Sequence, residues 1–401
     1  MAQALIYDAV RTPRGKGKAS GSLHSVRPIE LLSRTLESVR DRNELDTSQV
    51  DDVIAGCVTQ SGEQGSCIAR FAALAAGYDQ SACGVTINRF CASGLESVNQ
   101  AAAMVASGFA DLIVAGGVES MSRVPMGSDG GAIWDAQTQW EVGSVPQGIS
   151  ADLLATLRGI TRDDADAFAA ESQARAQKAL ATEAFAKSVV PVKDQNGLTI
   201  LDRDEYPRAG TTTETLAALK PAFEMIGRQF ALDHLTKATY PQVGRIEHIH
   251  TAGNSSGIVD GAAALLIGSE DKGKSMGLEP RARIRALAAT GSEPILMLDG
   301  PIPATRKVLE RSGMQLSDID LFEVNEAFAS VPLAYMQEFD IDPAIVNIHG
   351  GAIALGHPLG ATGAMLVGTA LDLLEERDQT TALITLCIGG GMGVATVIER
   401  I

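Results

Sequence analysis

The chain has 401 residues, 45% hydrophobic and 20% charged, which is ample material for a large core and excludes a disordered chain. Its 33 Lys and Arg against 49 Asp and Glu give a net charge of −16; with no basic run of any length, no nucleic-acid or anionic-membrane partner is expected. The five cysteines, at 57, 67, 83, 91 and 387, are odd in number and follow no C-x-x-C spacing. That argues against a disulfide framework or structural zinc and for a reducing, cytoplasmic setting.

The apolar run before Asp8 follows no basic segment and predicts a first strand, not a signal peptide. Residues 50–56 (VDDVIAG) and 111–116 (DLIVAG) predict strands buried on both faces. Between them, residues 95–107 (LESVNQAAAMVAS) predict a small-residue helix, and this β-α-β rhythm implies a mostly parallel sheet covered by helices. The C-terminal part repeats the pattern: Asp52 in QVDDVI aligns with Asp320 in SDIDLF, an offset of 268 residues, followed again by a glycine turn, a helix and a strand with glycines. Two similar α/β halves follow from that repeat.

Residues 123–249 fit neither half. Thr161-Arg162-Asp163-Asp164 forms a capping box opening a charged helix to about Ala184, followed by a turn-rich stretch at 202–213 and LKPAF at 219–223. The expected organisation is an N-terminal half at 1–122 continued by 250–271, a loop or lid domain at 123–249, and a C-terminal half at 272–401. Residues 343–371 lack Asp, Glu, Lys and Arg, yet their six glycines with His349, His357 and Pro358 suit a buried turn better than a membrane span. No transmembrane segment is expected.

Two motifs invite readings that their contexts weaken. Residues 268–275 (GSEDKGKS) match P-loop spacing, but Glu270 and Asp271 would repel phosphates, and Gly277 and Pro280 leave little room for the helix such a loop needs. His248-Ile249-His250 places two imidazoles on one strand face, without a carboxylate or cysteine at ligand spacing, so no metal site is assigned.

Cys91 stands between the strand at 85–90 (VTINRF) and the small-residue helix, where a helix N-terminus favours thiolate. His357, in GHPLG, sits at a second turn into a helix, where the dipole favours neutral imidazole. Cys387 ends a buried strand at a run that includes Gly389, and Asn325-Glu326-Ala327-Phe328 ends another. Strand ends of a parallel sheet share one side, so these residues can converge; two thiols and a histidine suit covalent acyl transfer with a separate carbon acid–base step.

NRFCASG at 88–94, NEAF at 325–328, GGAIALGHPLGATG at 350–363 and CIGGGMG at 387–393 together resemble the thiolase family. TAGNSSG at 251–257 and GGVESM at 116–121 extend the similarity over essentially the whole chain. The resemblance implies the thiolase fold: two halves in a five-layered α/β/α/β/α core with a loop domain inserted in the first. It implies Cys91 as the nucleophile carrying an acyl thioester and His357 as its base, with Cys387 as the acid–base at the acetyl carbanion. Asn325, through a water, with His357 would form one oxyanion hole, and the amides of Cys91 and Gly389 the other. Ser256 and Phe328 would contact the pantetheine arm, and Lys220 stands where a basic residue often lies near the CoA nucleotide.

Two positions depart from the family pattern. His349 replaces the usual Asn before Gly350, which either alters the pocket or is a satisfied supporting group. Pro146-Gln147 replaces the His-Met of short-chain biosynthetic members, and the lid is similar to that of thiolase subunits from β-oxidation trifunctional complexes. The expected activity is that of an acyltransferase, a 3-ketoacyl-CoA thiolase of fatty-acid β-oxidation: 3-ketoacyl-CoA plus CoA gives acyl-CoA plus acetyl-CoA. Coenzyme A is a co-substrate and no tightly bound cofactor or metal is expected. A homodimer or homotetramer, and a hydratase/dehydrogenase partner subunit, are further expectations. The alternatives are an acetoacetyl-CoA thiolase working in the biosynthetic direction, a ketoacyl synthase (which would carry a second histidine in place of Cys387), a silent scaffold subunit and a P-loop nucleotide binder.

Overall fold

Continuous apolar runs become strands buried on both faces, and they set the frame of the molecule. The computed structural model describes residues 3–401. Its strands are β1 (Leu5–Arg11), β2 (Gly15–Lys16), β3 (Asp52–Gly56), β4 (Val85–Ile87), β5 (Leu112–Ser120), β6 (Val192–Lys193), β7 (Thr199–Leu201), β8 (Val259–Gly268), β9 (Ala282–Gly291), β10 (Leu321–Val324), β11 (Thr381–Ile388) and β12 (Met392–Arg400). The expected first strand is β1; Met1 and Ala2 lie outside the described residues.

The main sheet runs β10-β11-β12-β9-β1-β8-β5-β3-β4, with the short β2 on β8. Only two residue pairs join β1 to β9, so the sheet consists of two layers meeting at a corner. Each layer repeats the other: β1-β8-β5-β3 in the first corresponds to β9-β12-β11-β10 in the second. β4 lies parallel beside β3, and its counterpart is the single parallel bridge from Phe322 to Val346 beside β10. Adding 268 to the bounds of β3, the helix Ser93–Ser107 and β5 lands within one residue of β10, the helix Thr362–Glu376 and β11. The expectation of a mostly parallel sheet is corrected: β3–β4, β3–β5 and β10–β11 are parallel, and the other main ladders are antiparallel. The β-α-β rhythm holds only where a crossover helix connects strands, while β8, β9 and β12 run back alongside them.

Helices Ser93–Ser107 and Thr362–Glu376 pack against each other between the two layers. Their small residues allow close approach, and Leu95, Val98, Leu366 and Leu371 join Ile113, Leu265, Ile384 and Val394 of the strands in the central core. Pro28–Arg42 and Ile68–Ala75 cover the outer face of the first layer, and Pro301–Ser312 and Ser330–Phe339 that of the second. This gives the five layers. The segment from 123 to 249 carries the hairpin β6–β7 and several helices, including Gln147–Arg158 and Arg162–Ala181. The latter starts at the expected capping box, Thr161 with Asp164, but stops before Ala184 because the chain turns left-handed at Glu183 (φ 53). The turn-rich stretch anchors this segment: the buried Asp204 accepts from both terminal guanidinium nitrogens of Arg11 at 2.8 Å and from the Arg14 amide at 2.8 Å.

The P-loop-like run is an ordinary strand-to-helix turn. Ser269 caps the seven-residue helix Glu270–Met276, Lys274 pairs with Glu270 at 2.5 Å, and Gly273 lies against the Tyr7 ring. Among the described residues, no helix is long and apolar enough to cross a membrane.

Candidate active site

Cys91 is fixed by the turn that links β4 to the central helix. The Phe90 amide donates to Asn88 Oδ1 at 2.8 Å, and Asn88 Nδ2 donates to the Val58 carbonyl at 3.0 Å. Ser93 Oγ accepts from the Arg89 amide at 2.8 Å and donates to the Phe90 carbonyl at 2.7 Å. Phe90 is left-handed (φ 45), a conformation a bulky residue holds only when its surroundings enforce it. The buried Cys91 packs with Val58, Met121, Leu359 and Phe90. Its sulfur faces its own amide and that of Gly389, and Gln147 Nε2 lies 3.9 Å away.

The expectation that a helix N-terminus would favour thiolate is corrected here. Burial pushes the Cys91 thiol up, and the three N–H groups facing the sulfur only oppose that shift. The helix begins two residues later, at Ser93. The resting sulfur is a thiol and needs a base.

His357 comes from the other half. Its amide donates to the Gly257 carbonyl at 2.8 Å, its Nδ1 lies 2.6 Å from Thr362 Oγ1, and its Nε2 lies 3.4 Å from Asn325 Nδ2. Burial, reinforced by the charge of Arg14, presses its pKa down to about 3, so it stands neutral. The turn that carries it is held by Glu119 at the end of β5. That carboxylate accepts from the amides of Gly360 (2.9 Å), Val58 (2.9 Å) and Thr59 (3.1 Å) and from Gln64 Nε2 (2.8 Å). Backbones touch at this crossing: a Cβ on Gly117 would come to 1.9 Å of the Gly360 carbonyl oxygen.

Asn325 follows β10, its amide donating to the Thr385 carbonyl at 3.0 Å, and its buried Oδ1 has no partner among the described residues. Cys387 is the next-to-last residue of β11, buried, and its thiol is pushed up by burial and by Cys91. Gly389 follows, before Gly390 and Gly391 at φ 79 and 77. Cys91, Cys387 and Gly389 thus meet, and the loop that carries His357, paired with Asn325, adjoins them through Leu359, which packs on Cys91.

The loop at 251–257 borders this site. Ser256 is half-buried, its amide donating to the Ala327 carbonyl at 2.9 Å. Phe328 is buried edge-on against Phe223 and His250. Lys220 is exposed, on the stretch whose Leu216 and Leu219 lie over Gly253. The two histidines do gain carboxylates, from distant segments: Asp152 takes His248 Nδ1 and His250 Nδ1, each at 2.7 Å, and Asp233 lies 3.2 Å from His248 Nε2. These are direct pairs that tie the lid together. Among the described residues no cluster of three or more His, Cys, Asp or Glu is arranged for a metal.

His349 is remote from the pocket, resolving the two readings of that departure. Its Nε2 pairs with Glu376 at 3.0 Å, at the far end of the 15-residue helix whose first residue, Thr362, touches His357. Such a helix is about 22 Å long. Thr362, Glu119 and Gln147 are the site neighbours that the residue patterns did not single out for a role. Their contacts arise from packing between segments far apart in the chain, and only the hydroxyl five residues after His357 left a local trace.

Models of two families match the chain: the thiolase N-terminal domain over residues 4–236 and the thiolase C-terminal domain over residues 278–400. The chain belongs to the thiolase family. It is 41% identical to a 3-ketoacyl-CoA thiolase of Shewanella frigidimarina over 408 residues, covering 100% of both chains. It is 42% identical to the 3-oxoadipyl-CoA/3-oxo-5,6-dehydrosuberyl-CoA thiolase of Escherichia coli, again over 100% of both. Its structure resembles the crystal structure of the Bacillus anthracis acetyl-CoA acetyltransferase with a TM-score of 0.86 at 37% identity, covering 100% of this chain and 99% of that one.

Proposed function

We propose that the protein is a 3-ketoacyl-CoA thiolase, an acyltransferase that cleaves 3-ketoacyl-CoA with CoA into a shortened acyl-CoA and acetyl-CoA. The observation that carries this is the meeting of two buried thiols, from the turn after β4 and the end of β11, with the helix-to-helix loop that carries a neutral histidine, at a sulfur faced by the Cys91 and Gly389 amides. The full-length relatives named for that activity support it.

In the proposed reaction, His357 Nε2 takes the Cys91 proton while the sulfur attacks the 3-keto carbon. The C2–C3 bond breaks and its electron pair passes to the departing acetyl-CoA carbanion, which takes a proton from Cys387. The acyl group stays on Cys91 as a thioester. CoA then delivers its thiol proton to the Cys387 thiolate and attacks that thioester; Cys91 leaves and recovers its proton from His357, restoring every group. The Cys91 and Gly389 amides stabilise the oxyanion formed on the acyl carbonyl, and Asn325 with His357 serves the thioester oxygen of the acetyl unit. Ser256 and Phe328 line the approach of the pantetheine arm, with Lys220 near the nucleotide end.

The five unpaired cysteines suit a reducing, cytoplasmic compartment. A homo-oligomer is supported by β4, an unpaired sheet edge where Val85, Phe71 and Leu74 are exposed. A role in β-oxidation and a hydratase/dehydrogenase partner rest on the similarity of the lid to complex-forming thiolases. Turnover over 3-ketoacyl-CoA substrates of rising chain length, with 3-oxoadipyl-CoA as a separate arm, tests the reading. Activity rising beyond acetoacetyl-CoA supports it. Activity confined to acetoacetyl-CoA contradicts it, and activity confined to 3-oxoadipyl-CoA moves the substrate to the ω-carboxylated class.

A further inference from the structure

Gln147 opens the helix Gln147–Arg158 directly after Pro146, and its half-buried side chain reaches back to the site. Its Nε2 stands 3.9 Å from the Cys91 sulfur, and it would lie 3.4 Å from a Cβ placed on Gly389, beside the Phe90 ring. One amide from the lid therefore meets the two turns that carry the nucleophile and the glycine run. Its register is secured below: Gly148 packs so tightly on the Phe223 ring that a Cβ would come to 2.2 Å of it, and Ile149 is fully buried.

We infer that Gln147 is a catalytic residue supplied by the lid, its side-chain amide donating to the Cys91 sulfur so that three N–H groups hold the sulfur as it loses its proton and attacks. The inference rests on the reading of Cys91 as nucleophile. An N–H donor interacts more strongly with a thiolate than with a thiol, so it assists the step in which charge develops on sulfur. The need is specific to this pocket. Burial and the carboxylate of Glu119 both disfavour charge there, and the buried His357 is neutral before the reaction. The N–H groups therefore hold the developing charge together with the imidazolium that His357 becomes on taking the proton. The thioether of a methionine in the same place would fill the space without donating.

The test is alkylation of the free enzyme by iodoacetamide as a function of pH, read by mass spectrometry of the Cys91 peptide, for wild type, Gln147→Met and Gln147→Glu. Removing a hydrogen bond to a charged sulfur moves the midpoint up by about one pH unit, making alkylation below the midpoint roughly tenfold slower in Gln147→Met. Gln147→Glu, nearly isosteric, moves it further and decides the matter if the methionine variant folds poorly. A packing role changes the plateau rate and leaves the midpoint alone. A midpoint unchanged or lowered in both variants overturns the inference. An unlabelled Cys91 in the wild type defeats the nucleophile reading itself.

Discussion

Thr362 Oγ1 lies 2.6 Å from His357 Nδ1 and 3.0 Å from the Pro358 carbonyl oxygen. The hydroxyl has one proton and the carbonyl can only accept, so the hydroxyl donates to Pro358 and accepts the Nδ1 proton of His357. The network thereby assigns the tautomer whose Nε2 lone pair faces Asn325 Nδ2 and is the ring nitrogen able to take a proton. Thr362→Val should lower kcat by roughly ten- to a hundredfold, the cost of an unsatisfied buried ring N–H and a loosened imidazole. Thr362→Ser should retain most activity. Stopped-flow acylation rates for the two variants check this; equal losses in both would show that the methyl group, not the hydroxyl, matters.

Cys387→Ala should separate the two half-reactions. Acyl transfer to Cys91 needs a nucleophile and a base, whereas carbon–carbon cleavage also needs a proton for the departing carbanion. Cleavage should fall by about 10²–10⁴-fold while acetyl exchange between acetyl-CoA and CoA survives better. Equal losses in the two assays would contradict a separate role for Cys387.

The neutral state of His357 has a consequence for stability. Its folded pKa, about 3, lies below the ordinary histidine value, so below about pH 6.5 the unfolded chain binds a proton that the folded chain refuses. Stability should therefore fall as pH drops from about 6.5 toward 3. Chemical denaturation across that range checks the sign, and His357→Asn should flatten the slope.

Asp204 acts in the same direction as His357, over a lower pH range. Burial pushes its carboxyl up, but Arg11 and Arg14 outweigh burial and hold its pKa below the usual carboxylate range. Its contribution is present above the unfolded value of about 3.9 and is lost as pH falls through the folded value. Asp204→Asn should destabilise the molecule by about 3–5 kcal/mol, because two buried guanidinium groups lose their counter-ion. Hydrogen exchange should show the opening first in the stretch around β6 and β7. Unchanged protection there would show that the anchor lies elsewhere.

Much of the architecture was legible because repetition and periodicity are local properties. Asp52 and Asp320 marked the two halves, and the same offset places both central helices. Cys91, His357 and Cys387 were legible because each stands at a turn leading into a helix or at the end of a strand. Glu119 was not, since its four N–H partners come from two stretches, 58–64 and Gly360, about 300 residues apart in the chain. Nor was the direction of the shift at Cys91, which depends on how deeply the sulfur is buried. The carboxylates on His248 and His250 arrive from Asp152 and Asp233, at sequence separations that no spacing rule examines. Helix ends such as that at Glu183 turned on a backbone conformation that the residue type alone disfavours.

The central claim is that catalysis passes through a thioester on Cys91. Intact-protein and peptide mass spectrometry of the enzyme mixed with 3-ketoacyl-CoA, before CoA is added, tests it most directly. The account predicts one acyl adduct per chain, located on Cys91, released as acyl-CoA when CoA is added and absent from a Cys91→Ala variant that still binds CoA. An adduct on any other residue, or turnover persisting in Cys91→Ala, would contradict it.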